Sequence, residues 1–172
     1  MSYLIENVLS NEECIKFIEQ IENKKNVVPF NITGKFINDK FEDNELAEIL
    51  FNKVINKTKS VNINIKNLKK PNNLIMTAKY TPGMKFGLHT DTGLYYNFVN
   101  KEETRFTILF YLNDNFKGGE TVFYNDDGKI TKNIIPKKGS ALIFDIDLWH
   151  SGKELLEGYK YWIGIEGIGD IK

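Results

Sequence analysis

At 172 residues the chain is sized for one domain, and a chain of this length buries about 70% of its unfolded surface without needing staples. Its 41% hydrophobic and 27% charged content matches a soluble globular protein, and 23 basic against 23 acidic residues leave no net field to draw nucleic acid or an anionic membrane. The single cysteine, Cys14, excludes an intrachain disulfide. With no leader pattern at the N-terminus and no apolar run near roughly 18 residues, cytoplasmic residence is the expectation.

In chain order, Ser10-Asn11-Glu12-Glu13 is a capping-box pattern, and Cys14, Phe17, Ile18 and Ile21 follow at the spacing of one buried helix face. A second helix is expected from Asp43 or Asn44, with Leu46, Ile49, Leu50 and Val54 inward. Residues 56–73, polar and rich in Asn and Lys, predict a connector. From there the texture turns to short β-type runs: Leu74–Tyr80, Arg105–Leu112, Glu120–Tyr124, Ile130–Ile135, Ala141–Phe144 and Tyr159–Ile165. Turn signals separate them, and Asp127-Gly128 suggests a two-residue type I′ hairpin. Two helices followed by many strands imply an α+β fold, its strands closed most easily as a double-sheet jelly roll. No internal repeat or second domain is visible.

The chemistry concentrates on the two histidines, His89 and His150. In a strand, residues i and i+2 share a face, so His89 and Asp91 of His89-Thr90-Asp91 can converge on one ion. Adding His150 makes the two-imidazole, one-carboxylate set of non-haem iron(II) oxygenases, which leaves coordination positions open. The His-x-Asp motif alone is weak, and the same ligands also suit a hydrolytic zinc. Lys160, ten residues after His150 on a strand-like segment, weighs toward the oxygenase. An inward ammonium needs an anion, and the distal carboxylate of 2-oxoglutarate supplies one. Hydroxyls of Tyr80 and Thr107 are placed to complete that carboxylate's hydrogen bonds, with Tyr111 a further candidate. The competing role for Lys160 is a solvated edge-strand lysine.

These residues resemble the prolyl 4-hydroxylase-like branch of the iron(II)/2-oxoglutarate-dependent dioxygenases, over nearly the whole chain. Asn7-Val8-Leu9-Ser10-Asn11-Glu12-Glu13-Cys14 is similar to that branch's opening helix start. Tyr80-Thr81-Pro82-Gly83 leading to His89-Thr90-Asp91 is similar to its first metal motif. Arg105–Asn113 looks like its central strand, Gly118-Gly119-Glu120-Thr121-Val122-Phe123 matches a motif of the branch, and Pro136–Phe144 precedes the distal histidine. The resemblance implies a double-stranded β-helix (jelly-roll, cupin-like) core at 74–172 with a helical support region at 1–73, together one domain over 1–172.

The resemblance also implies that His89, Asp91 and His150 bind iron(II), and that Lys160, aided by Tyr80 and Thr107, binds 2-oxoglutarate. Dioxygen is the oxidant and ascorbate a further candidate cofactor. Oxidative decarboxylation of 2-oxoglutarate to succinate would drive attack on an unactivated C–H bond. Asp91 is intact, whereas halogenases of the wider superfamily lack this carboxylate, so hydroxylation is implied. The leading substrate is a protein or peptide side chain, proline foremost; a free amino acid or other small molecule is the alternative. A non-catalytic metal-binding jelly-roll module is the alternative of another class. Nucleic acid is disfavoured, because the chain is neutral and Lys160 stands where an arginine would be expected. Loops 30–42 and 92–104, with Phe36, Tyr95, Tyr96 and Phe98, are candidates to cover the substrate or to pack on the barrel rim. Arg105 and Trp162 could face the substrate or close the barrel. Oligomeric state is not legible.

Overall fold

The computed structural model describes residues 1–23, 29–30, 36–93 and 95–171. Helix α1 (Asn11–Glu22) begins as its sequence requires. The Ser10 hydroxyl accepts the Glu13 N–H, and the Glu13 carboxylate accepts the Ser10 N–H at 2.9 Å. Asp43 caps α2 (Asn44–Ser60), its carboxylate accepting the Leu46 N–H at 2.9 Å. Ala47, Leu50, Phe51, Val54 and Thr58 form the buried stripe of α2. Ile49, expected inward, is 46% exposed, because one residue before Leu50 is about 100° around the helix from it.

The strands are β1 (Ser2–Ile5), β2 (Pro29–Phe30), β3 (Phe36–Glu42), β4 (Lys70–Tyr80), β5 (Phe86–His89), β6 (Tyr96–Asn97) and β7 (Glu102–Tyr111). There follow β8 (Lys117–Gly118), β9 (Thr121–Tyr124), β10 (Ile130–Ile134), β11 (Ala141–Asp145), β12 (His150–Gly152), β13 (Leu155–Glu157) and β14 (Lys160–Asp170). The large sheet runs β1-β11-β7-β14-β4-β3-β2, with β6 also on β7. The smaller sheet runs β10-β9-β12-β5, and β13 pairs with β8. Every pairing among them is antiparallel. Two facing sheets with helices packed on one outer face make this an α+β fold with a double-stranded β-helix, or jelly-roll, core.

Three expectations change. The segment expected as connector is shorter, because α2 continues to Ser60 and β4 starts at Lys70. The segment 1–73 does more than support the core, since β1 and β3 extend the large sheet at Ser2–Ile5 and Phe36–Glu42. The β9–β10 hairpin is not type I′. The Gly128 N–H donates to the Asn125 carbonyl at 2.9 Å, and Gly128 (φ 75°), not Asp127, takes the left-handed conformation. Such a type I turn closed by a left-handed glycine makes a three-residue loop.

The large sheet carries two different faces because side chains alternate along each strand. Ile75, Ile108 and Ile165 pack with Leu50, Phe51 and Val54 of α2 in the layer beneath the helices. The opposite face packs Tyr111, Leu142 and Phe144 against Phe123 and Ile134 of the smaller sheet. Between the sheets lies a cavity of about 340 Å³. Truncating the fully buried Leu50 to Ala should cost about 3 kcal/mol, whereas Ile49→Ala should cost well under half of that. Urea melts with unchanged m-values would show both.

Candidate active site

His89 ends β5 and His150 begins β12, and the two strands pair with these residues directly opposite. Their rings lie 4.1 Å apart between centroids. Phe86 meets His89 edge-on at 4.0 Å and Phe144 meets His150 edge-on at 4.7 Å, so packing fixes both imidazole planes. Asp91 has already left the strand, and its N–H is held by the Ile146 carbonyl at 3.0 Å. Its Oδ1 stands 3.3 Å from His89 Nε2 and 3.7 Å from His150 Nε2. Candidate ligand atoms of all three residues fall within 4.8 Å of one another, a set that could hold a metal ion.

The hydrogen bonds behind these atoms prepare them for that task. His89 Nδ1 is 2.7 Å from the Gly87 carbonyl and His150 Nδ1 is 2.9 Å from the Leu148 carbonyl. A carbonyl only accepts, so both imidazoles carry their proton on Nδ1 and present the Nε2 lone pair inward. Burial holds His150 below its ordinary pKa and therefore neutral near pH 7. Burial alone would raise the Asp91 carboxyl, but an N–H and positive charge on the imidazoles when protonated, with the Thr107 hydroxyl, outweigh it and hold it below the usual carboxylate range. Neutral imidazoles and an ionised carboxylate are the protonation states a metal requires.

Lys160 lies at the other end of the cavity, opposite Tyr80 across β14 and β4 and almost wholly buried. Its ammonium donates to the Gly119 carbonyl at 2.6 Å and sits 5.4 Å from the centroids of both the Tyr80 and Tyr111 rings. No carboxylate lies within 4 Å of it among the described residues. Burial pushes its pKa down to about 8, with Glu120 opposing in part. The Gly118-Gly119 pair makes this packing possible. A Cβ on Gly118 would stand 2.3 Å from the Glu154 carbonyl oxygen, and one on Gly119 would stand 3.2 Å from the Lys160 side chain. Both glycines also take positive φ.

The other expected residues divide. Tyr80 lines the cavity beside Lys160, its hydroxyl hydrogen-bonded to the Trp162 indole. Thr107 lines the cavity too, but at the metal end, where its hydroxyl donates to Asp91 Oδ2 at 2.5 Å. It stands four residues from Tyr111 on β7, about 13 Å along an extended strand, so it flanks the carboxylate ligand and not Lys160. Nearer Lys160, the Tyr111 and Thr121 hydroxyls bond each other at 2.8 Å. Thr121 was legible only as a strand residue after Gly118-Gly119-Glu120.

Trp162 faces the cavity, whereas Arg105 is buried outside its lining, with its Nη1 3.1 Å from Glu103 and 3.9 Å from Asp147. Tyr95, Tyr96 and Phe98 also lie outside the lining, and Phe98 is 79% exposed. In the other loop, residues 36–42 form β3, while residues 31–35 and the Phe36 side chain lie outside the described residues. Glu166, which sequence reasoning missed, is buried in the cavity wall. Its strand alternation with Lys160 was the available signal.

The 2OG-Fe(II) oxygenase superfamily profile matches residues 75–165, which contain His89, Asp91, His150 and Lys160. The chain belongs to this superfamily. It is therefore a dioxygenase whose reaction uses iron(II), 2-oxoglutarate and dioxygen. Among solved structures it is similar to the viral collagen prolyl hydroxylase of Paramecium bursaria Chlorella virus-1, solved as a 2-oxoglutarate complex. They share 24% identity over 99% of this chain and 96% of that one, with a TM-score of 0.67. It also resembles a Trichoplax adhaerens prolyl hydroxylase in complex with a hypoxia-inducible-factor oxygen degradation domain peptide fragment (17% identity, 96% and 82% coverage, TM-score 0.67).

A third similar structure is HygX of Streptomyces hygroscopicus with nickel, 2-oxoglutarate and hygromycin B bound (15% identity, 98% and 82% coverage, TM-score 0.65). At these identities the likeness establishes the fold. No curated protein matches the chain. Among the described residues no helix is long and apolar enough to cross a membrane.

A stability prediction follows from the oxygenase's buried lysine. The unfolded chain keeps the Lys160 proton up to about 10.5, the folded protein without 2-oxoglutarate only to about 8. Between those values the unfolded state binds more protons, so stability rises with pH. Above pH 10, Tyr80 and Tyr111, raised by burial, act in the opposite sense. Stability of the ligand-free protein should therefore gain about 2 kcal/mol from Lys160 between pH 8 and pH 10. Chemical denaturation across that range should show the gain, and Lys160→Met should remove it.

Proposed function

We propose that this oxygenase hydroxylates a side chain of a protein or peptide, proline foremost, with 1–172 acting as one domain. His89 Nε2, Asp91 Oδ1 and His150 Nε2 hold the iron(II), and Lys160 with Tyr80 holds the distal carboxylate of 2-oxoglutarate. Thr107 orients Asp91 through its hydrogen bond to Oδ2. The observation that carries the reading is the Lys160 ammonium, buried in the wall of the same cavity with one carbonyl as its acceptor. A buried cation of this kind is costly until an anion completes it. A dicarboxylate spanning from Lys160 toward the three ligand atoms does so.

Iron(II) with 2-oxoglutarate and dioxygen supplies the oxidant that breaks an unactivated C–H bond. The chain's own residues orient and protect. Carbonyls at Gly87 and Leu148 keep the imidazole protons away from the metal side. Phe86, Phe144 and Trp162 narrow the water-accessible volume beside it. The two similar prolyl hydroxylases support a peptidyl-proline substrate, while HygX supports a small-molecule substrate as the second reading. Ascorbate as an accessory cofactor and cytoplasmic residence belong to the same proposal.

Anaerobic protein given iron(II) and 2-oxoglutarate should develop a weak visible charge-transfer band; tight zinc binding without that band would refute the site assignment. His150→Ala should abolish succinate formation, and full turnover in that variant would remove His150 from the metal site. Lys160→Ala should weaken 2-oxoglutarate by about 1.5–3 kcal/mol, read as a roughly 10- to 150-fold higher apparent KM. Succinate release measured across proline peptides, free amino acids and amine-bearing small molecules would separate the two substrate readings.

A further inference from the structure

Glu166 is 5% exposed and lines the same cavity as the three candidate ligands. It lies on β14 in the inward row Lys160, Trp162, Gly164 and Glu166, six residues and about 20 Å of strand beyond Lys160. Its register partner across β7 is Thr107, whose hydroxyl holds Asp91. Paired antiparallel residues stand about 5 Å apart between Cα atoms, so Glu166 is one side chain removed from the candidate metal ligands. The cavity thus has a cation at one end and, at the other, the His-Asp-His group with a second carboxylate beside it.

That carboxylate is half satisfied. Oε2 accepts from Asn72 Nδ2 at 2.8 Å and from the Thr104 hydroxyl at 3.1 Å. Among the described residues Oε1 has no hydrogen-bond partner, and no lysine or arginine nitrogen lies within 4 Å of the group. Lys40, the other lysine of the lining besides Lys160, is exposed and forms no ion pair with it. The two existing bonds fix the side chain's orientation but leave a buried negative charge without a countercharge, which is costly. Thr104 also accepts the Tyr95 N–H at 3.1 Å, so Glu166 is tied to the 92–104 loop beside the cavity.

Resting on the proposed oxygenase site, we infer that Glu166 Oε1 is the anchor for a cationic group of the substrate. The substrate class is therefore basic: a peptide with a lysine or arginine next to the hydroxylated residue, or a small molecule bearing a primary amine or guanidine. Lys160 selects the dicarboxylate co-substrate by charge, and Glu166 selects the substrate by the opposite charge. Gly164, between them on the same row, leaves space where a Cβ would stand 3.0 Å from Leu109 and 3.3 Å from Trp162. Ammonium-to-carboxylate bonding at a desolvated site is strong enough to set preference.

The test uses the full chain, anaerobic, with iron(II) and 2-oxoglutarate, and calorimetric titration of three probes: a capped Pro-Lys peptide, its Pro-Glu counterpart, and agmatine. The Pro-Lys peptide and agmatine should bind at least about ten-fold more tightly than the Pro-Glu peptide. Glu166→Gln should shrink that ratio to within two-fold, and Glu166→Lys should reverse it. Because each protein serves as its own reference, the ratio is insensitive to a general loss of folding. Equal affinities, or no binding of any probe to the wild-type protein, would overturn the inference. Aerobic product analysis separates it from the prolyl reading. Proline hydroxylation indifferent to flanking charge removes the Glu166 role and keeps proline, whereas hydroxylation of agmatine or a basic peptide without proline does the opposite.

Discussion

Strand β14 pairs with β7 along one edge and β4 along the other, and most of the site's geometry descends from that double register. Because side chains alternate with a period of two, a slip of one residue would turn Lys160, Trp162 and Glu166 toward the helices and bring Ile163 and Ile165 into the cavity. The helix-side packing of Ile163 and Ile165 with Ile75 and Ile108 forbids that slip. Hydrophobic burial on one face of the sheet is therefore what holds charged groups on the other. Leu50 and Val54 of α2 contribute to the site only in this indirect way, by making one register much more favourable than its neighbours.

The cavity is organised by the cost of burying charge. At one end the Lys160 ammonium has the Gly119 carbonyl and two tyrosine faces, enough to orient it and too little to neutralise it. At the other end, backbone carbonyls at Gly87 and Leu148 set the tautomers of two imidazoles, and Thr107 fixes the Asp91 carboxylate. The Gly118-Gly119 pair belongs to the same device, since its backbone must come close to β13 and to the lysine stem where any side chain would collide. Each of these groups is oriented before a metal or co-substrate arrives, which lowers the ordering cost of binding.

His89, His150 and Glu166 sit on different strands of the cavity wall. The candidate ligands His89 and His150 lie at strand ends, where β5 and β12 pair. Other polar groups of the cavity wall lie beside the 92–104 loop. There Glu166, Thr104 and Tyr95 form a chain of hydrogen bonds not contained in the metal-site motifs. The same fold in the similar structures accompanies a peptide fragment in one case and hygromycin B in another.

Much of this was legible in the chain before folding. The Ser10–Glu13 capping box, the strand runs and the inward place of Lys160 depend on local chemistry or period, which neighbouring residues carry among themselves; His89 and Asp91 do meet, but past the end of β5, where the distant Ile146 carbonyl holds the Asp91 N–H. Long-range pairing decided the rest. Thr107 and Tyr111 look alike as inward hydroxyls on one strand, and only the register with β14 and the position of Asp91 show that Thr107 serves the metal end. Ile49 looked buried because apolar spacing tolerates a residue at the edge of the stripe. Tyr3 and Phe41 gave no signal that Ser2–Ile5 and Phe36–Glu42 would extend the sheet, since an edge strand is completed by hydrogen bonds to a partner far along the chain. Glu166 is the clearest case. Its alternation with Lys160 gives only the face it shares, and its burial opposite Thr107 exists only once three distant strands have paired.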